Sequence, residues 1–202
     1  MPQSRSDQRR SAPERRRPRR EDVRSDLLAA AAEEFQTRGY AATRLEAIAT
    51  RAGYTKGAVY SNFGSKQELF AELLDQRITA LIVDSVQGIM AADLTLDDVA
   101  RRMARLSLDE ERWHVLLAEF AVLATTDEEA AAVYRANRHR LLTSVTEIIR
   151  DNAARLGITG DPWTIAFLVA AVTNVAGVHG VIEPASLPLT RRAEIFSAVL
   201  RR

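Results

Sequence analysis

Between residues 55 and 63 the side chains able to act outward are Lys56, Tyr60, Ser61 and Asn62, set around Gly57 and Ala58. They form no acid–base pair and no activated nucleophile. They offer short hydrogen-bonding groups, a phenol and one ammonium group, beside two positions with almost no bulk. Such a face suits a partner dense in phosphates and base edges, because cations and hydroxyls meet phosphate oxygens while small residues let the backbone approach. Ala58 can touch a thymine methyl, and Lys56 can reach guanine O6 and N7 or a phosphate. The same segment buries only Val59 and Phe63. A helix this short does not stabilise itself, so its outward face points to presentation to a partner.

A second short helix must position it. Leu45, Ile48, Ala49 and Ala52 follow the i, i+3, i+4, i+7 spacing of one buried face. Thr43 with Glu46 reads as a capping box opening that helix, Gly53 ends it where left-handed backbone is cheap, and Thr55 caps the next. Two short helices and a tight turn predict a helix-turn-helix whose second member enters the major groove of double-stranded DNA. Thr43 and Arg44 stand where the first member crosses the DNA backbone, and Arg24, in an earlier helix, adds a further candidate contact. Competing assignments stay open: Tyr60 as a packing residue, Arg24 and Arg44 as solvated charges, Gly57 as a geometric requirement only.

The run from Leu27 to Leu69 resembles the DNA-binding domain of the TetR family of bacterial transcriptional regulators. The matching elements are Ala31-Ala32 with Phe35, Gly39-Tyr40 and Thr43, Ile48-Ala49 with Ala52-Gly53, Lys56-Gly57-Ala58-Val59-Tyr60 with Phe63, and Ser65-Lys66 with Leu69. They cover roughly a fifth of the chain; the remainder matches only in length and helical character. The resemblance implies that Tyr60 meets a phosphate through its hydroxyl and that Lys66 grips another. It also implies a two-fold symmetric homodimer on a palindrome-like operator, joined through its last two helices, and a body that holds a small-molecule effector. Repression is the family's usual mode.

The rest of the sequence bounds this reading. The 202 residues are 47% hydrophobic and include no cysteine, which excludes disulfides, thiolate metal sites and thiol nucleophiles. His114, His139 and His179 form no metal-spacing pair, and no Gly-rich phosphate loop or nucleophile motif occurs, so no enzyme activity, metal or cofactor is expected. The formal charge is +1, but residues 1–20 carry eight arginines against Asp7 and Glu14, a surplus of six, which leaves −5 on the remainder. That arm reads as disordered. It is a solvated tail, a source of nonspecific phosphate contacts, or a minor-groove arm. No segment reads as reaching the roughly 20 apolar residues that span a bilayer, so no membrane partner is expected and the protein is placed in the cytoplasm, at the nucleoid.

Caps and breaks predict an all-α chain of about nine helices: an arm over 1–20, a helix-turn-helix domain over 21–66, and a ligand-binding and dimerisation domain over 67–202. The first helix runs from about Asp22 to Arg38. Ser65 with Glu68 opens a fourth helix on the order of 35 Å long, which links the DNA reader to the body. Later helices open at Thr95, between Ser107 and Glu110, at Thr126, at Asp161-Pro162 and at Thr190. In the body Trp113, Phe120 and Phe167 are candidate cavity walls, and Asn174, His179 and Arg138 candidate polar handles. Each has a structural alternative: the aromatics as core, Asn174 and His179 as satisfied core or interface groups, Arg138 as the ion-pair partner of Glu119. Ala166, Ala170, Ala171, Ala176 and Gly177 would let the eighth helix approach a second copy. A ligand-independent or architectural DNA-binding protein, or an all-α enzyme, is the competing function.

Overall fold

The computed structural model describes residues 19–90 and 94–201; all but the last two residues of the Arg-rich arm lie outside them. Among the described residues the chain is all helix with no strand: α1 Arg20–Arg38, α2 Leu45–Ala52, α3 Lys56–Phe63, α4 Lys66–Met90, α5 Leu96–Asp109, α6 Glu111–Leu123, α7 Glu128–Leu156, α8 Pro162–Ile182 and α9 Leu189–Leu200, with a 3₁₀ turn at Pro184–Ser186.

Several expected caps form. Thr55, Thr95 and Asp161 each accept a first-turn backbone N–H, and Asp98 completes a capping box with Thr95. Ser65 Oγ accepts from the Glu68 amide at 3.0 Å. Four expectations are corrected. Arg44, not Thr43, precedes α2, and the buried Thr43 hydroxyl donates to the Glu34 and Gly39 carbonyls instead. Asp127 caps α7 in place of Thr126, and α9 starts after Pro188, before Thr190. Ser107 lies inside α5 and donates to the Ala104 carbonyl, so α6 begins only after Glu110.

The helices bury two cores. One joins α1, α2 and α3 to Leu69, Phe70 and Leu73 of α4 and to Trp113, Leu116 and Phe120 of α6. At its centre Phe35 stacks on Tyr40, and Phe70 and Phe120 meet them edge-on or tilted, with neighbouring ring centroids between 4.6 and 5.5 Å apart. The other joins α5, α7, α8 and α9 around Ala104, Ile149, Ile165 and Phe196. The first core therefore continues past residue 66, because the small α1–α3 unit completes its apolar packing with α4 and α6.

α8 corrects two expectations. It is long and apolar enough to cross a membrane by length and composition, although in this fold it packs against α5, α6, α7 and α9. Its small residues Ala166, Ala170, Ala176 and Gly177 are buried inside the protomer. A Cβ on Gly177 would fall 2.4–2.6 Å from His114 side-chain atoms, so smallness there serves the approach of α6.

Candidate functional site

The α2–α3 unit is built by its turn. Gly53 takes a left-handed conformation, φ 77°, which closes α2 and lets its N–H reach back to the Ala49 and Thr50 carbonyls. Val59 and Phe63 then face inward, leaving Lys56, Gly57, Tyr60 and Ser61 exposed and Ala58 and Asn62 half-buried. Tyr60 keeps 47% of its surface open despite its size. Arg44 is exposed at the start of α2. In this state the face is partly self-satisfied. Lys56 pairs with Glu46 of α2 and lies 5.5 Å from the Tyr60 ring centroid. That hydrogen bond raises the lysine pKa and lowers the glutamate's. Ser61 Oγ and Asn62 Nδ2 both donate to the Ala58 carbonyl, at 3.0 and 2.7 Å.

Three of the residues assigned to DNA are placed for other work. Thr43 is 2% exposed and its hydroxyl is spent inside the fold. Arg24 donates to Glu72 and to the Asn62 carbonyl and lies 4.4 Å over the Phe63 ring, so it bolts α1 to α3 and α4 with its charge compensated. Lys66 turns its ammonium onto the Tyr40 carbonyl and the Tyr40 ring, 4.4 Å from the centroid. Burial lowers its pKa, with Glu119 opposing. The partners of Arg24 and Lys66 lie 25 to 48 positions away in sequence, out of reach of any local pattern.

The body holds a cavity of about 180 Å³ between α4, α5, α6, α7 and α8. Of the candidates, Trp113 and Asn174 line it. The others are corrected. Phe120 is fully buried in the first core, held by Tyr40 and Phe70. Phe167 is on the surface, stacked on Trp163 at 5.5 Å, with Arg138 5.6 Å over its ring. His179 is exposed and shares a 2.7 Å hydrogen bond with Ser186. Arg138 does not meet Glu119, which instead accepts the Tyr40 and Ala41 amides at 2.8 and 2.7 Å. Polar residues not anticipated are Arg77, Glu110, His114, Asn137 and Thr173. Arg77 pairs with Glu110 and lies 5.1 Å over the Trp113 ring. His114 Nδ1 and Asn174 Oδ1 are 3.1 Å apart, and burial lowers the imidazole pKa. Sequence offered a faint signal: Glu110, Trp113, His114 and Leu117 repeat at helical spacing on one face.

Comparison with known proteins follows this geometry. A family model described as bacterial regulatory proteins, tetR family, matches residues 27–73. Over 84 residues the chain is 38% identical to the HTH-type transcriptional activator FasR of Mycolicibacterium smegmatis, covering 42% of this chain and 36% of that one. Over 92 residues it is 36% identical to the HTH-type transcriptional repressor Rv3405c of Mycobacterium tuberculosis, covering 45% and 49%. The matched region thus spans between a third and a half of these relatives' length. A crystal structure of a TetR-family transcriptional regulator from Mesorhizobium loti superposes with a TM-score of 0.70 at 22% identity, over 91% of this chain and 96% of that one, and shows the shared fold.

Proposed function

From the premise that this chain is a member of the TetR family of transcriptional regulators, we propose that it is a sequence-specific DNA-binding regulator. It acts in the cytoplasm as a homodimer on a palindromic operator and is released by a small molecule. The observation that carries the DNA reading is the outward face of α3, where Lys56, Gly57, Tyr60 and Ser61 are exposed on a helix anchored by Val59 and Phe63. Lys56 and Arg44 supply charge, Tyr60 its hydroxyl, and Ser61 and Asn62 donors that turn outward when a phosphate is offered. Thr55 shapes the entry as a cap.

Dimerisation is supported by α8, where the apolar side chains of Trp163, Phe167, Val175 and Ile182 are exposed. Two copies place two α3 helices on one face of the duplex, roughly one turn or about 34 Å apart. The effector reading is supported by the cavity, which shares α4 and α6 with the core of the DNA reader. A ligand favouring one spacing of the α3 pair shifts operator affinity by its differential binding, typically about 1–3 kcal/mol.

Footprinting on genomic fragments, including the neighbourhood of its own gene, tests the DNA reading. A protected site lost in a Lys56→Ala, Tyr60→Phe double variant that still folds supports it. Absence of any such site overturns it.

A further inference from the structure

Resting on the DNA reading, we infer that the arginine-rich segment over 1–20 is a second DNA-binding element. It grips phosphates of the duplex flanking the α3 contact and supplies affinity that does not depend on sequence. Three observations carry this. The first is a charge deficit in the reader itself. Residues 21–66 hold six cations, Arg24, Arg38, Arg44, Arg51, Lys56 and Lys66, against six carboxylates, so their net charge is zero. Five of the six cations are engaged within the protein. Arg24 pairs with Glu72, Arg38 and Arg51 with Glu34, and Lys56 with Glu46, while Lys66 donates to the Tyr40 carbonyl. Arg44 stays exposed at the start of α2. Duplex DNA carries one phosphate charge about every 1.7 Å of its axis, and affinity grows with the number of phosphates neutralised. An electroneutral reader leaves that contribution largely unmet.

The second observation is where the positive charge lies. Residues 1–20 carry the surplus of six, and the compensating −5 falls wholly beyond residue 66. The third is the point at which the segment joins the fold. Arg24, one helical turn past Arg20, donates to the Asn62 carbonyl and lies 4.4 Å over the Phe63 ring. The start of α1 therefore lies beside the C-terminal end of α3, and Arg19 and Arg20 are exposed there. Arg19 is extended, φ −66° and ψ 151°, and its amide donates to the Asp22 carboxylate at 3.2 Å, so the chain leaves the helical path at that point. Residues 1–18 can reach at most roughly 60 Å from it, more than one duplex turn of about 34 Å. What the reader lacks is charge alone, which phosphates accept in any sequence.

Fluorescence anisotropy on the full-length protein tests this, with the footprinted operator and a scrambled duplex of equal length titrated with salt. A variant carrying Arg5→Gln, Arg9→Gln, Arg10→Gln, Arg15→Gln, Arg16→Gln and Arg17→Gln should lower the slope of log affinity against log salt by about 3–5 per subunit. Its affinity at about 150 mM salt should fall about tenfold or more, by the same factor on both duplexes and on A·T-rich and G·C-rich flanks alike. Lysine at the same six positions should hold the slope within about 1 of the parent, because phosphate neutralisation needs the charge. Trimming the operator to the α3 half-sites should bring the parent down to the glutamine variant. Circular dichroism checks that every variant folds. An unchanged slope, tighter binding by the glutamine variant, a loss confined to A·T-rich flanks as minor-groove reading would give, or a lysine variant as weak as the glutamine one would overturn the proposal. The two readings fail separately. A slope change on scrambled duplex with no protected operator refutes the role of α3 and leaves the arm a DNA-binding element. A protected operator whose salt slope ignores the six substitutions refutes only the arm.

Discussion

Lys56 and Lys66 carry the same charge ten positions apart and do opposite jobs. Lys56 is exposed and paired with Glu46 across the surface, an ion pair of little worth that a phosphate can replace. Lys66 is sunk against Tyr40, and its ammonium satisfies a backbone carbonyl. Lys56→Ala should therefore lower the slope of log affinity against log salt by about 1 per subunit. Lys66→Met should leave that slope unchanged and cost about 1–2 kcal/mol of folding stability, read by urea unfolding and salt-titrated gel shifts. His114 gives a pH signature at the same scale. Its folded pKa lies below the free value, so as pH falls through about 6.5 the unfolded chain takes up a proton before the fold does. Stability is lost over that interval. The drop in urea midpoint between pH 7.5 and 5.5 should be smaller in His114→Leu than in the parent.

Among the elements, α6 reaches into both halves. Its first turns carry Trp113 and His114 on the cavity wall, and its later turns carry Glu119 and Phe120 into the core of the DNA reader. Glu119 holds the two amides that follow α1, at Tyr40 and Ala41, immediately before the turn into α2. On the effector reading, a ligand that shifted α6 would pull on the α1–α2 turn, a path additional to the long fourth helix. Glu119→Ala leaves those two amides without their acceptor and should lower stability by about 1–3 kcal/mol, measured by thermal or urea unfolding. The tight packing beneath α8, where Gly177 meets His114, keeps the cavity floor in register with α6.

For the whole molecule the decisive surface is formed by the exposed apolar residues of α8. Val175 and Ile182 are 68% and 75% exposed in the single chain, and large apolar side chains left open on one helix suit an association site. A Val175→Glu, Ile182→Glu variant should sediment as a monomer while its far-ultraviolet dichroism stays native. It should also lose operator affinity far more than half-site contacts alone explain, because one α3 helix reads only half of a palindrome.

Local chemistry was legible in the residues. Periodic apolar positions, Gly53, Thr55, Thr95 and the Asp161-Pro162 pair specify helices and their ends through interactions within a turn or two, and the outward face of α3 follows from Val59 and Phe63 alone. Polar pairings were not legible. Glu119 lies 79 positions from Tyr40, Lys66 26 from Tyr40, and Arg24 48 from Glu72. Nothing local says which of several cations or amides a carboxylate will meet. That choice is made when helices dock and burial makes an unpaired group costly. By itself, then, the sequence determined an all-helical chain with a DNA-reading face. Tertiary packing alone decided that Phe120 belongs to the reader's core, that Phe167 and His179 stand at the surface, and that the cavity turns on Arg77, Glu110 and His114.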